Sequence, residues 1–326
     1  MLVTGGCGFI GSAFIRWVVA NQQVRVVNVD ALTYAAQPDA LAGVSEGARY
    51  GFVQADINDA VKVTELLEQY QPDALINFAA ESHVDRSITG PTGFARTNIQ
   101  GTLALLEASR SWLQRRDASK PFRFLQVSTD EVYGDIGAEG RAALESDAWR
   151  PSSPYAASKA AADHLVDAWV RTYRFPALVS HASNNYGPWQ YPEKLIPRVI
   201  QCALAGDTIP LYGSGEQVRD WLHVDDHVKA LWCLLEQGKL GEHYNIGADC
   251  QLTNLCLVNA ICAHLDGLRP ASAPAGGHAS LIRHVADRAG HDWRYALNSS
   301  KMQALGWRPQ VSFEQGLRDT VAFYLP

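Results

Sequence analysis

A chain of 326 residues with 47% hydrophobic and 19% charged residues can bury a sizeable core, which excludes a disordered chain and predicts two domains, or one large domain with a lobe. The net charge of −6 and pI near 5.9 give no basic field, so neither nucleic acid nor an anionic membrane surface is expected as a partner. The longest apolar stretches, such as Ala74 to Ala80, fall far short of the ~20 residues that cross a bilayer, and Met1 runs into Leu2-Val3-Thr4-Gly5 without a basic leader, so a soluble cytoplasmic protein is expected. Cys7, Cys202, Cys233, Cys250, Cys256 and Cys262 form no CxxC pair and no zinc spacing, so no metal site is expected.

In chain order, short apolar runs at 2–4, 24–30, 51–55, 74–79 and 122–128 predict strands, with helical patterns at 9–20, 60–69, 94–114 and 155–173 between them. Strands that are apolar throughout and alternate with helices of this length predict a doubly wound α/β fold, with a parallel sheet covered on both faces. A strand at 177–181 extends that sheet. Beyond residue 182 proline, glycine and aromatics become frequent, which predicts a smaller lobe over the carboxyl edge of the sheet. A helix at 225–237 and a strand at 243–246 are expected to return to the sheet, so the division reads 1–182, with 225–248 returning, and 183–326 mainly lobe. Residues 269–280, rich in Ala, Pro and Gly, read as a surface loop or mobile connector.

Three segments carry chemistry. Gly5-Gly6-Cys7-Gly8-Phe9-Ile10-Gly11 joins a strand to a helix and meets the spacing at which glycines let a backbone approach a pyrophosphate on a helix N-terminus. Asp30 ends the next strand, where a carboxylate takes ribose hydroxyls and repels a 2′-phosphate, so NAD is favoured over NADP. Tyr155 and Lys159 lie one turn apart behind Ser153-Pro154, a helix start, and so share a face. A phenol working as a base near neutrality needs its pKa lowered by about 3 units, ~4 kcal/mol, and Lys159, the helix N-terminus and a nicotinamide cation are the expected sources. Ser128-Thr129-Asp130-Glu131 follows the strand at 122–128, placing a hydroxyl and two carboxylates where doubly wound sheets bind ligands. Adjacent carboxylates there suggest an acid and a base whose surroundings split their pKa values.

Together these motifs resemble the extended short-chain dehydrogenase/reductase superfamily. The chain is similar over essentially its whole length to the dTDP-glucose 4,6-dehydratase family, through Asp30-Ala31-Leu32-Thr33-Tyr34-Ala35, Glu81-Ser82-His83-Val84-Asp85-Arg86-Ser87, the Thr129-Asp130-Glu131 run, Ser183-Asn184-Asn185-Tyr186-Gly187-Pro188, Pro192-Glu193-Lys194-Leu195-Ile196-Pro197, Arg219-Asp220-Trp221 and Asp287-Arg288-Ala289-Gly290-His291-Asp292. Related 4-epimerases lack both carboxylates, and nucleotide-sugar decarboxylases carry Ser for the Asp, so Asp130 separates these readings; a non-catalytic NAD sensor would be expected to lose Tyr155, Lys159 or the carboxylates. The chain departs from the family at Ser180-His181-Ala182, usually Thr-Asn-Cys, and at Ala289, usually Pro, and it starts about two residues into the usual first strand.

The resemblance implies NAD and dTDP-glucose as ligands, a homodimer formed through the helices at 94–114 and 155–173, and loss of water to give a 4-keto-6-deoxy sugar. It implies that Tyr155 and Lys159 drive C4 oxidation, that Thr129 bonds the C4 oxygen, and that Glu131 and Asp130 act as base and acid in the elimination. The implied cofactor contacts are Gly5, Gly8, Phe9, Ile10, Gly11, Asp30, Ala31, Leu32, Thr33, Asp56, Ile57, Ala79, Ala80, Ser82, Thr97, Tyr155, Lys159 and Asn185. The implied substrate contacts are His83, Thr129, Asn184, Lys194, Leu195, Pro210, Tyr212, Arg219, Asn254, Arg288 and His291, with Arg219 and Arg288 as diphosphate partners.

Overall fold

A computed structural model describes residues 1–45, 47–270 and 273–326. Strands β1 (Leu2–Thr4), β2 (Val26–Asp30), β3 (Tyr50–Gln54), β4 (Ala74–Asn77), β5 (Arg123–Thr129) and β6 (Ala177–Ala182) occupy the first half. They are followed by β7 (Asn184–Tyr186), β8 (Ile209–Tyr212), β9 (Val218–His223), β10 (His243–Ile246), β11 (Gln251–Thr253) and β12 (Ile282–Val285). Seven of them form one sheet, in the order β10-β6-β5-β4-β1-β2-β3, with every pair parallel. The strand order reverses between β1 and β4, and a ligand crevice is expected at the carboxyl ends of those strands.

Successive side chains of a strand point to opposite faces, and here each face is dry. Val3, Ile76 and Leu125 pack with Phe14, Ile15 and Val18 of the helix Phe9–Asn21 and with Val228, Leu231 and Leu234 of the helix Val224–Gln237. Their neighbours Leu2, Leu75 and Phe124 face the other way, onto Leu66 and Leu67 of the helix Ala60–Tyr70, Leu105, Leu106 and Trp112 of Gly101–Leu113, and Val166 of Pro154–Tyr173. Each fully buried side chain of this kind contributes ~1.5–3 kcal/mol, so the pattern of the strands pins their register.

Residues 94–114 do not form a single helix. The chain makes a short helix at Pro91–Phe94, a π-helical turn at Ala95–Gln100, and then the helix Gly101–Leu113. Asn98 in that turn is buried and fully bonded: its Oδ1 accepts from the Glu81 N–H at 2.8 Å, and its Nδ2 donates to the Glu81 carbonyl at 3.0 Å and to Ser158 Oγ at 2.8 Å. The wider turn is thus set by partners distant in sequence. β4 also ends two residues early, at Asn77, where the chain leaves the sheet and carries Ala79 across Gly5.

A second core lies beyond β6. Ile196, Val199 and Ile200 of the helix Leu195–Ala205 pack with Leu257, Val258 and Ile261 of the helix Asn254–Leu268 and with Leu317 and Val321 of the helix Phe313–Phe323. Two small sheets, β11-β9-β7 and β12-β8, edge this core. In the segment 269–280, positions 271 and 272 lie outside the described residues. Its far end is fastened, because the His278 backbone N–H and ring Nδ1 both meet Asp266 Oδ1, at 3.0 and 2.5 Å.

Candidate active site

The first part of the site is built by a turn that tolerates only glycine at two points. Gly5 has φ +69°, and a Cβ on it would sit 2.5 Å from the Ala79 nitrogen. A Cβ on Gly11 would collide with the Gly5 carbonyl oxygen. No side chain caps the helix that starts at Phe9, so its first N–H groups open onto the cleft. Asp30 is buried at the end of β2, and its oxygens accept from the Cys7 and Leu32 backbone N–H groups, each at 2.8 Å. Burial pushes its carboxyl up, and those two N–H groups pull it back. A backbone cradle closed to any Cβ, a free helix N-terminus and a buried carboxylate fit a dinucleotide.

These groups line a cleft of about 330 Å³ over the switch point. Gly5, Gly8, Phe9, Ile10, Gly11, Asp30, Ala31, Thr33, Asp56, Ile57, Ala79, Ala80, Ser82, Thr97, Tyr155, Lys159 and Asn185 all face it. Leu32 does not: it takes a left-handed φ of 52° and lies outside the lining, with its side chain partly in solvent.

The chemical end of the cleft is the carboxyl end of β5. Thr129 caps the short turn Asp130–Tyr133, accepting from the Glu131 N–H at 3.3 Å and donating to Asp130 Oδ1 at 3.1 Å. Asp130 is 3% exposed, and its Oδ2 has no hydrogen-bond partner. Burial pushes the Asp130 carboxyl well above the usual carboxylate range, and the neighbouring Glu131 charge pushes it the same way. Glu131 is also raised by burial, but Arg288, Arg219 and Lys194 pull it back. The two carboxylates therefore differ in the way an acid and a base must.

Opposite them, Ser153 caps the helix Pro154–Tyr173 by accepting from the Ala156 N–H at 3.0 Å, and Pro154 fills its first position. Tyr155 and Lys159 are both buried. The Lys159 ammonium donates to the Val127 carbonyl at 2.7 Å; burial lowers its pKa, and Asp163 opposes that. The Tyr155 phenol is shifted away from ionisation in the protein alone. Burial first, then the Glu131 charge, pushes Tyr155 up, and a hydrogen bond with Thr129 only partly offsets them.

The residues expected to hold substrate divide. Asn184 and Lys194 line the cleft, and Lys194 Nζ donates to the Ser82 carbonyl at 2.6 Å. His83 caps the helix Val84–Thr89 and stands 3.9 Å from Glu193. Leu195 and Asn254 begin helices of the second core, and Pro210 and Tyr212 lie on β8. None of these last four lines the cleft, and neither do His83, Arg219, Arg288 and His291. Arg219 is 5% exposed, and its guanidinium is engaged by the carbonyls of Val218 and Asp292 at 2.8 and 3.0 Å and by the Tyr295 ring. Arg288 is freer: its Nε is buried without a partner, and its Nη1 stands 3.7 Å from Asp85. Tyr212 bonds the same Asp85 at 3.2 Å, and His291 bonds Asp287 at 2.6 Å.

Two groups of residues escaped the sequence reading. Tyr34 donates to Glu193 at 3.1 Å beneath the Arg86 guanidinium, fastening the lobe to the mouth of the cleft. Behind Lys159, a fully buried Asp163 accepts from Ser128 Oγ at 2.5 Å and faces His181. The available signals were the spacing from Lys159 to Asp163 and the departure at His181. Among the described residues, no group of three or more His, Cys, Asp or Glu side chains is placed to hold a metal, and no helix is long and apolar enough to cross a membrane.

Comparison with known proteins agrees with this geometry. A family model described as GDP-mannose 4,6 dehydratase matches residues 2–320. The dTDP-glucose 4,6-dehydratase of Shigella flexneri is 52% identical, over 100% of this chain and 92% of its own length. The crystal structure of DesIV, a dTDP-glucose 4,6-dehydratase from Streptomyces venezuelae with NAD and TDP bound, superposes with a TM-score of 0.90 at 44% identity, covering 99% of this chain and 96% of that one. A UDP-glucuronic acid 4-epimerase from Bacillus cereus shares the fold with a TM-score of 0.86 at 26% identity, over 99% and 97% of the two chains, so the backbone alone does not separate the two activities. With full-length identity above half and the Thr129-Asp130-Glu131 run at the end of β5, this chain belongs to the dTDP-glucose 4,6-dehydratase family.

Proposed function

We propose that this chain binds NAD and dehydrates dTDP-glucose to dTDP-4-keto-6-deoxyglucose. The observation that carries the reading is the pair of buried Asp130 and partly buried Glu131, set beside Tyr155 and unequal in their tendency to ionise. When bound, NAD supplies a hydride acceptor for C4 and returns that hydride to C6, and its nicotinamide charge favours the Tyr155 phenolate. The N–H groups at Phe9, Ile10 and Gly11 take the pyrophosphate, and Asp30 takes the ribose hydroxyls.

Tyr155 removes the C4 hydroxyl proton, while Lys159 holds a positive charge beneath it. Thr129 donates to the C4 oxygen as it becomes a carbonyl. That carbonyl acidifies the C5 hydrogen, which Glu131 removes as a carboxylate. Asp130, favoured in its protonated form by burial, gives its proton to the C6 oxygen, which leaves as water, and Glu131 returns a proton to C5 as C6 takes the hydride. Arg288, with its unpartnered Nε, is the principal diphosphate partner, and Arg219 acts mainly by its charge. The residues from 183 onward form the substrate lobe, except for 225–248, which belong with the dinucleotide domain. The working form is a cytoplasmic homodimer joined through the helices Gly101–Leu113 and Pro154–Tyr173, which sedimentation of the purified chain checks.

The test is a panel of dTDP-, UDP- and GDP-glucose with the product identified by NMR. A 4-keto-6-deoxy product from dTDP-glucose is expected; a C4 epimer, or no turnover with any of the three, contradicts the proposal.

A further inference from the structure

Lys159 and Asp163 sit one turn apart on the helix Pro154–Tyr173, 4% and 0% exposed. Asp163 Oδ2 accepts from Ser128 at 2.5 Å, and its Oδ1 has no partner. Lys159 faces the cleft, but Asp163 lies behind it, and a carboxyl buried this completely needs a route by which its proton equilibrates with water. A line of side chains provides one. His181 on β6 is fully buried, with Nδ1 3.9 Å from Asp163 Oδ2 and 3.4 Å from the Thr129 carbonyl. Its Nε2 lies 3.0 Å from Nδ1 of His243 on β10, with the two rings only 12° from parallel. His243 Nε2 lies 2.7 Å from Asp167, whose side chain is 24% exposed. Trp149 packs against both imidazoles, with ring centroids 5.7 and 5.6 Å away.

One order of the protons lets the line conduct. In that order His243 donates from Nε2 to Asp167 and its Nδ1 is bare. His181 then donates from Nε2, and its own Nδ1 is bare toward the Thr129 oxygen at 3.4 Å and, further off at 3.9 Å, toward Asp163 Oδ2. That corner is satisfied only when it gains a proton. We infer that Asp167, His243 and His181 form a proton path from solvent to Asp163, which makes the two histidines positioning residues for C4 oxidation through Lys159. The inference rests on the roles proposed above for Tyr155 and Lys159.

The transfer balances. The Asp163 carboxyl proton goes to His181 Nδ1, the His181 Nε2 proton to His243 Nδ1, and the His243 Nε2 proton to Asp167 and water. Both rings end neutral in the opposite tautomer, and the reverse hops restore them. Burial raises Asp163 to about 7, so its charge changes in the working range of pH. An ionised Asp163 supports the Lys159 ammonium and a protonated one does not, so C4 oxidation rises with pH as Asp163 ionises. The other titratable groups around the line are His164 on the same helix, Tyr133, Glu145 and Asp147 after β5, Glu242 before β10, and Lys301, which donates to the His243 carbonyl at 2.6 Å.

The test compares His181→Asn, His243→Gln and the double variant with wild type. Its readouts are the pH dependence of first-turnover NADH formation and imidazole nitrogen NMR of the protein without substrate. Each single variant is expected to move the acidic limb by ~1 unit, and the double variant no further, because the steps are in series. The His243 tautomer signal is expected to change in His181→Asn. If His181→Asn fails to fold, the partly exposed His243→Gln carries the test. Profiles that superpose on wild type, or shifts that add, overturn the path. Tyr155→Phe separates the two readings: wild-type NADH formation in that variant defeats the oxidation reading, whereas its loss alongside unmoved histidine profiles defeats only the path.

Discussion

Asp130 and Tyr155 show how one physical term, burial, serves two opposite ends. It favours the protonated form of Asp130, the form able to donate, while it opposes ionisation of Tyr155. Removing the phenol oxygen is therefore costly: Tyr155→Phe keeps the ring packing, and first-turnover NADH formation is expected to fall by at least ~10²-fold in stopped-flow absorbance. The pH dependence of water loss has a definite sign. In the roles proposed above, elimination needs Glu131 ionised and Asp130 protonated, and both pKa values are raised, Asp130 the more strongly. The NADH decay phase should thus slow at acid pH as Glu131 takes up a proton, and slow again as pH rises through the Asp130 titration. In Asp130→Asn the alkaline limb should vanish, with the decay ~10²–10⁴-fold slower at every pH. Asp30 is equally specific: Asp30→Ala should narrow the preference for NAD over NADP, measured by fluorescence titration of the two reduced cofactors.

At the scale of elements, the helix Pro154–Tyr173 carries Tyr155 and Lys159 in its first turns, so its cap is part of the machinery. Ser153→Ala leaves the Ala156 N–H without its acceptor and should cost ~1 kcal/mol, read from urea unfolding, with Ser153→Asp restoring most of it. The central strands of the main sheet were legible in the sequence because they carry buried apolar side chains toward both faces, and β1 and β10 have the bounds that the residues implied. The helix at 94–114 was not legible as three pieces. Its sequence favours a continuous helix; the π-helical turn exists because Asn98 meets Glu81 and Ser158, partners that local propensity cannot show. The end of β4 was missed for a similar reason, since the approach of Ala79 to Gly5 decides it.

On the scale of the whole molecule, the lobe closes on the dinucleotide cleft through Tyr34–Glu193, Gln37–Trp189 and Lys194–Ser82, at 3.1, 2.6 and 2.6 Å. Tyr34→Phe deletes the first of these and should speed the exchange of bound NAD, measured with labelled cofactor, without changing the fold. Most of the cleft lining was legible because its residues fall in short contiguous motifs. The region behind Lys159 was not, since His181 and His243 are 62 positions apart and meet only because β10 pairs with β6. The account as a whole depends on oxidation and elimination being separate tasks of separate residues, and rapid mixing of Glu131→Gln with dTDP-glucose tests this most directly. Bound NADH should appear at close to the wild-type rate and then persist, with 4-keto-6-deoxy product formed ~10²–10⁴-fold more slowly. Product formation at the wild-type rate, with no accumulated NADH, would contradict it.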